Sequence, residues 1–403
     1  MFAMKPRNKK LLLILNSLVL MSCNSGANLS NMALQSENGT PSLQFETLEH
    51  YDAASQVKLH DCNGIESQFN GNKCLVLKLP VISLSYADMV RLSGDYIGNP
   101  DPGRNIGQQA DLAQREANFM VNFDAYNNST YQTYLIKYLT KIRSMDERNK
   151  FNKQNQRPLE ISDKDNCDFN EISGGICVGN IPVSLGVYLQ LANNSNDHFD
   201  NNAIQSYLAG HGLALKTAYA GNLTLAYAYE GFAAHFGSDS FAAGHTRTQK
   251  QQIQDRCQNE VEGRKFGGLL VKEAHDFSNK TGITLINNNG KQWVALGDAY
   301  FFTSGNAQNK QLLIETLQTG VDQIYDIYQK RALISVTEFS KLSQENLKIM
   351  QGMLPNPDLT RNLTVNPPAI FSLQDGVLWW RDLRYNKNEP VSSCINAASF
   401  YHL

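Results

Sequence analysis

The string His235-Phe-Gly-Ser-Asp239-Ser-Phe-Ala-Ala-Gly-His245 brings two imidazoles and a carboxylate into one short stretch of chain. On a helix, His235 and Asp239 are four residues apart and share a face. Gly244 lets the chain bend, so that His245 can return to the same point. Two imidazole nitrogens and a carboxylate oxygen suit Zn²⁺ and leave room for water. The preceding run, Tyr227-Ala-Tyr-Glu230-Gly-Phe-Ala-Ala, is apolar enough to be buried. Burying His and Asp there is costly unless they pair or bind a metal, and a structural His–Asp hydrogen bond is the plainer alternative. Five of the eight histidines (His198, His211, His235, His245 and His275) fall between positions 198 and 275, among interleaved acids.

The spacing H-x3-D-x5-H, and the longer run from Glu230 to Thr248, resemble the bacterial zinc-dependent phospholipases C. The likeness is to the phosphatidylcholine-hydrolysing subgroup of certain Gram-negative bacteria. That family shares its fold with single-strand-specific zinc nucleases. Further landmarks are Asp197-His198-Phe199 with Asn202-Ala203, Gly210-His211, His275-Asp276, Trp293 and Gly297-Asp298. The resemblance covers about 195–300 and is thinner over 85–100.

It implies a mainly α, multi-helix domain with small β additions, holding two or three Zn²⁺ ions. His198, His235, Asp239, His245 and His275 are the implied ligands. The family's metal-bridging aspartate corresponds to Asp95, in Ser93-Gly94-Asp95-Tyr96, with Asp197 as the alternative; either would orient the attacking water or accept its proton. His211 is open between ligand and supporting partner. The family also has an acid four residues after its last histidine, where this chain has Asn279; Asp276 is the substitute. Some members use the mature N-terminus as a ligand. Here His50, in Leu48-Glu49-His50-Tyr51, or His60 is the substitute for that group.

The activity implied is attack of metal-activated water on the phosphorus of a phosphatidylcholine-type phospholipid. The products would be diacylglycerol and a phosphorylated headgroup. Two other readings stay open: a zinc-dependent single-strand nuclease, and a non-catalytic surface lipoprotein with a degenerate site, for which Asn279 argues.

Helices must position these groups. Apolar spacing predicts helices over 106–125, 129–152, 202–220 and 222–238, and a long helical region over about 307–350. A polar loop is expected at 153–178. Strands are expected at Ile283–Ile286 and Gln292–Leu296 around a turn at Asn287–Gly290, and in the tail at 365–384. The catalytic domain is expected over 46–305 and a C-terminal helical region and tail over 306–403.

Lys5, Arg7, Lys9 and Lys10 precede an apolar run from Leu11 to Met21, which reads 1–22 as a signal segment. Leu20-Met21-Ser22-Cys23 resembles a lipobox. Cys23 would then be lipidated at the head of a Ser/Asn/Gly-rich tether over 23–45, anchoring an exported chain to a bacterial membrane; an ordinary secretory signal is the alternative. The remaining six cysteines (Cys62, Cys74, Cys167, Cys177, Cys257 and Cys394) suit disulfides. Short loops favour Cys62–Cys74 and Cys167–Cys177, which leaves Cys257 with Cys394. Sequence alone leaves about 15 connectivities open.

Composition narrows the rest. With 42% hydrophobic and 18% charged residues the chain is globular, and 36 basic against 38 acidic residues offer no footprint for nucleic acid. The expected partners are a phospholipid and a membrane surface. G-x-S-x-G and P-loop motifs are absent, the glycines around Gly263–Gly268 lacking the P-loop spacing.

Overall fold

The computed structural model describes residues 47–65, 67–260, 263–367, 369–374, 377–382, 387–394 and 396–397. The expected signal segment 1–22, Cys23 and the tether 23–45 lie outside the described residues. The fold is mainly α, with small antiparallel sheets of two or three strands. Among the described residues no helix is long and apolar enough to cross a membrane.

Helix α1 (Leu48–Gln56) leads through two hairpins into α2 (Tyr86–Leu92). The first pairs β1 (Lys58–His60) with β2 (Gln68–Asn70), and the second pairs β3 (Leu75–Lys78) with β4 (Ser83–Ser85). Helices α3 (Leu112–Phe123), α4 (Ser129–Gln154) and α5 (Asp163–Ile172) follow, then a hairpin of β5 (Ile176–Val178) and β6 (Ile181–Ser184). Next come α6 (Val187–Asn194), α7 (Asp200–Tyr219), α8 (Leu223–Asp239), α9 (Ala243–Arg247), α10 (Lys250–Cys257) and α11 (Gly263–Thr281). A hairpin of β7 (Ile283–Ile286) and β8 (Gln292–Ala295) precedes α12 (Ala307–Lys330), α13 (Val336–Met353) and α14 (Pro357–Arg361). The chain closes on a sheet of β9 (Phe371–Gln374), β10 (Val377–Asp382) and β11 (Lys387–Val391), with β10 in the middle.

Helix α8 is the axis of the molecule. It is apolar nearly all round and buried from Ala226 to Asp239, as expected of a helix enclosed by others. It packs against α7, α2 and α12. Gly210 permits the close approach of α7, since a Cβ there would stand 2.2 Å from the Phe119 ring and 2.6 Å from the Ala233 Cβ. Because α12 lies against α7 and α8, the boundary expected at 305/306 is not a break in packing. A second, smaller core joins Phe199, Ile253, Leu270 and Val271 to Phe371, Leu378 and Trp380 of the tail sheet.

The three disulfides pair Cys62 with Cys74, Cys167 with Cys177, and Cys257 with Cys394. The β7–β8 hairpin and the tail strands β9 and β10 occur where the sequence places them, while β11 lies beyond the expected 365–384. Other boundaries need correction. Residues 153–178 contain α5, begun by a capping box in which Ser162 and Asp165 satisfy each other's backbone N–H. Asp165 is anchored by Arg148 and Lys141 of α4, so charge, which apolar spacing does not record, holds this helix. The region 307–350 is two helices, the second restarted by a Ser335–Glu338 capping box. Helix α3 begins at Leu112 rather than 106, because the backbone N–H groups of Ile106 and Gly107 are turned toward Asp197.

A buried polar cluster ties α7, α8 and α12. His211 lies 2.7 Å from Glu230 through Nδ1 and 2.9 Å from the Gln323 Oε1 through Nε2, while the Tyr207 hydroxyl donates to Glu230. Burial opposes a charge on His211, but the Glu230 carboxylate outweighs it and raises the imidazole pKa. A raised folded-state value means stability fully present below the unfolded pKa, about 6.5, and lost as pH rises through the folded one. The stability deficit of His211→Gln, read from denaturant midpoints, should therefore be greatest below about pH 6.5 and shrink at higher pH. A deficit constant with pH would mean that folding leaves the imidazole pKa unchanged.

Candidate metal centre

The end of α8 is where six other segments converge. Helix α1 brings Glu49 and His50, and the turn after α2 brings Asp95. The turn before α7 brings His198, α9 brings His245, α11 brings His275 and Asn279, and the turn after β8 brings Asp298. His198 and His235 are fully buried; Asp95 and Asp239 are 1% exposed. Gly94 makes this approach possible. It has φ +75°, and a Cβ there would meet the rings of His198, His235 and Phe236 at 2.7 to 2.9 Å.

Three buried groups of side chains could hold metal ions: His50, Asp95 and His235; His198, His235 and Asp239; and His245, His275 and Asp298. Around the end of α8, His198 Nδ1 lies 3.1 Å from His235 Nε2, 2.9 Å from Asp239 Oδ2 and 3.6 Å from Asp95 Oδ1. His235 Nε2 is 3.5 Å from each of those carboxylate oxygens. A small tetrahedral cation with ligand bonds of about 2.0–2.1 Å needs its donor atoms about 3.3–3.4 Å apart, so these four donors fit one. In the neighbouring group His275 Nε2 is 2.9 Å from Asp298 Oδ2, and His245 Nε2 is 3.7 Å from Asp298 Oδ1. Asp239 Oδ1 faces His50 Nε2 at 3.4 Å and His245 Nε2 at 4.0 Å, linking the groups.

The outer nitrogens are anchored. His235 Nδ1–H donates to Val90 O and His245 Nδ1–H to His198 O, each at 2.9 Å. His275 Nδ1 meets Asp276 Oδ1 at 2.8 Å, and His50 Nδ1–H donates to the Ser238 hydroxyl, which itself donates to His235 O. Each anchor orients the ring and leaves Nε2 with its lone pair toward the centre.

Electrostatics favour a cation. Burial, then Asp95, Asp298 and Glu49, push the Asp239 carboxyl well above its usual range. Burial also raises Asp95, despite His235. Burial and neighbouring imidazoles lower His50 and His198, and burial takes His245 down to about 3. Burial lowers His275 as well, yet Asp298 and Asp276 carry it up to about 9. Neither oxygen of Asp95 accepts a hydrogen bond among the described residues. A buried carboxylate in that position, crowded by other acids, is costly unless a cation neutralises it. A cleft of about 400 Å³, lined by Asp276, Asn279, Asp298, Phe277 and Tyr300, opens beside the His275–Asp298 group.

Six sequence candidates are thus brought together with Asp95: His50, His198, His235, Asp239, His245 and His275. Others are corrected. Asp197 faces away, accepting from the N–H groups of Ile106 and Gly107 and from Ser206. His211 has both nitrogens engaged by Glu230 and Gln323, remote from the groups. Asp276 supports the outer nitrogen of His275 instead of joining the cluster. Asn279 is a clamp: its Oδ1 accepts from Gly244 N–H and its Nδ2 donates to Asp298 Oδ2, each at 2.6 Å. His60 stacks on Tyr325. Asp298, which the sequence marks only as a landmark, supplies the acid that Asn279 lacks; Glu49 was not singled out at all.

Compared with family models, curated proteins and solved structures, the chain matches none.

Gly94→Ala should cost stability beyond the ~1–2 kcal/mol of a left-handed alanine, and should reduce bound divalent metal measured by elemental analysis. Gly290→Ala, also at positive φ but with nothing within 4 Å, is the control that should keep its metal.

Proposed function

We propose that the protein is a zinc-dependent phospholipase C that cleaves phosphatidylcholine-type phospholipids to diacylglycerol and a phosphorylated headgroup. The observation that carries this reading is the four-donor arrangement of Asp95, His198, His235 and Asp239 beside the His245–His275–Asp298 group. Mixed imidazole and carboxylate donors at tetrahedral spacing favour Zn²⁺ over Mg²⁺ or Ca²⁺, which prefer all-oxygen shells. His198, His235, Asp239 and Asp95 would hold one ion, and His245, His275 and Asp298 another. Bound there, zinc supplies Lewis acidity toward the phosphoryl oxygens and makes a water acidic enough to ionise near neutrality.

The chain's own groups do the rest. Asp95 is assigned to orient the attacking water and take its proton, because neither of its oxygens is committed to a hydrogen bond. Asn279 fixes Asp298, and the anchored imidazoles keep the donors in place before substrate arrives. Asn279, the sequence argument for a degenerate site, serves an intact one in this reading.

A lipid substrate is favoured over nucleic acid by the β5–β6 hairpin. Ile176, Val178, Ile181 and Val183 are 56–63% exposed and Leu185 is 47% exposed, with Val178 and Ile181 opposite each other in the register. No charged residue occurs from 172 to 190. Such a ribbon suits insertion among acyl chains and offers nothing to a phosphate backbone. The Cys167–Cys177 bridge pins it to α5, and α6 runs from it toward Ala192 and Asn193, which share a pocket with His245 and His275. A lipid-anchored Cys23 would hold the enzyme to the same kind of surface.

The zinc-loaded protein should hydrolyse phosphatidylcholine vesicles and lose that activity on chelation, with no comparable action on single-stranded DNA. Chelator-insensitive or absent hydrolysis rejects the proposal, and a preference for DNA selects the nuclease. Paired Val178→Asp and Val183→Asp substitutions should weaken vesicle binding by roughly tenfold or more while sparing a soluble short-chain phospholipid. Unchanged vesicle binding would remove the hairpin from the mechanism.

A further inference from the structure

Two of the three groups, His50–Asp95–His235 and His198–His235–Asp239, share His235. His235 Nδ1 is committed to Val90 O, so only Nε2 faces the centre, and one imidazole lone pair serves one ion. Its distances place Nε2 with His198, Asp95 and Asp239 Oδ2. His50 is then left without a companion from its nominal group, although its ring is as carefully oriented as the others, through Ser238.

Two further oxygens face His50. Asp239 Oδ1 is 3.4 Å from its Nε2, on the opposite side of the carboxylate from the oxygen that meets His198. Glu49 Oε1 is 3.9 Å from the same nitrogen. Glu49 is 5% exposed, and neither of its oxygens accepts a hydrogen bond among the described residues. With His50, Ser238 and Asp298 it lines a cavity of about 10 Å³. That is roughly the room one water-sized species needs. A buried carboxylate without donors, aimed at an oriented imidazole across such a cavity, is arranged as a ligand.

We infer that Glu49, His50 and Asp239 Oδ1 form a third cation position, in which Glu49 is the anionic ligand and Asp239 bridges to the ion held by His198 and His235. The inference rests on the zinc reading of the centre and adds a residue to it. It also gives the site a third ion without any contribution from the N-terminal amine.

Elemental analysis of zinc-loaded, desalted protein tests this, using wild type and the near-isosteric Glu49→Gln. Wild type should hold one zinc for each of the three positions, and Glu49→Gln one fewer. The zinc-induced rise in Tm should be smaller in the variant, whereas its Tm in chelator should be no lower than that of wild type, because a buried carboxylate crowded by other acids has been neutralised. Equal zinc content and equal zinc-induced shifts would overturn the role of Glu49 and leave the functional reading standing. Wild type that binds no zinc would overturn that reading as well. If Glu49→Gln does not fold, Glu49→Asp decides: its shorter carboxylate should bind the last zinc more weakly in a competition with a coloured chelator, and unchanged affinity overturns the proposal.

Discussion

Asp239 is the constraint around which the molecule is organised. One buried carboxylate presents Oδ2 to His198 and His235 and Oδ1 to His50 and His245, four imidazoles from four separate segments. Such a cluster cannot be built from local structure. It requires α8 to be enclosed on all sides, so that its final turn ends inside the protein instead of at the surface. The apolar sequence of α8 and the small residues facing α7 follow from that demand.

Burial makes the arrangement both expensive and useful. Removed from water, the carboxylates resist ionisation and the neighbouring imidazoles resist protonation, so the cluster is poorly satisfied by its own members. The outer ring nitrogens show where the protein invests in order: backbone carbonyls, Ser238 and Asp276 hold the rings by the edge that faces away from the centre. Asn279 performs the same service for Asp298. Apart from Asp276, which neighbours His275 on α11, these supports lie on different elements from the groups they orient, which couples the helix packing to the accuracy of the site.

Much of the helical core and the nucleus of the site was legible in the sequence. His235, Asp239 and His245 are close in the chain, and a helical period carries two of them to one face. The apolar runs of α7 and α8 are equally explicit. Legibility failed where the determinant is long-range or polar. Helix α5 is held by Asp165 and its bonds to α4, which leave no apolar period to read. Asp298 reaches the centre from a turn at φ +40°, far from any ligand-like spacing. Asp197, beside His198 in sequence, points the other way because two backbone N–H groups capture it. Adjacency along the chain said nothing about direction.

The Cys257–Cys394 bridge has a kinetic side. It spans 137 residues, and that interval includes His275, Asn279, Asp298 and the whole of α12. Closing a loop of this length removes conformational freedom from the unfolded chain worth about 4–5 kcal/mol in the chain-entropy account. Thiol oxidation therefore narrows the search by which the last imidazole and the last carboxylate find the residues before them. A reduced chain has to bring His275 and Asp298 to the centre unaided, whereas an oxidised one is already tied around them.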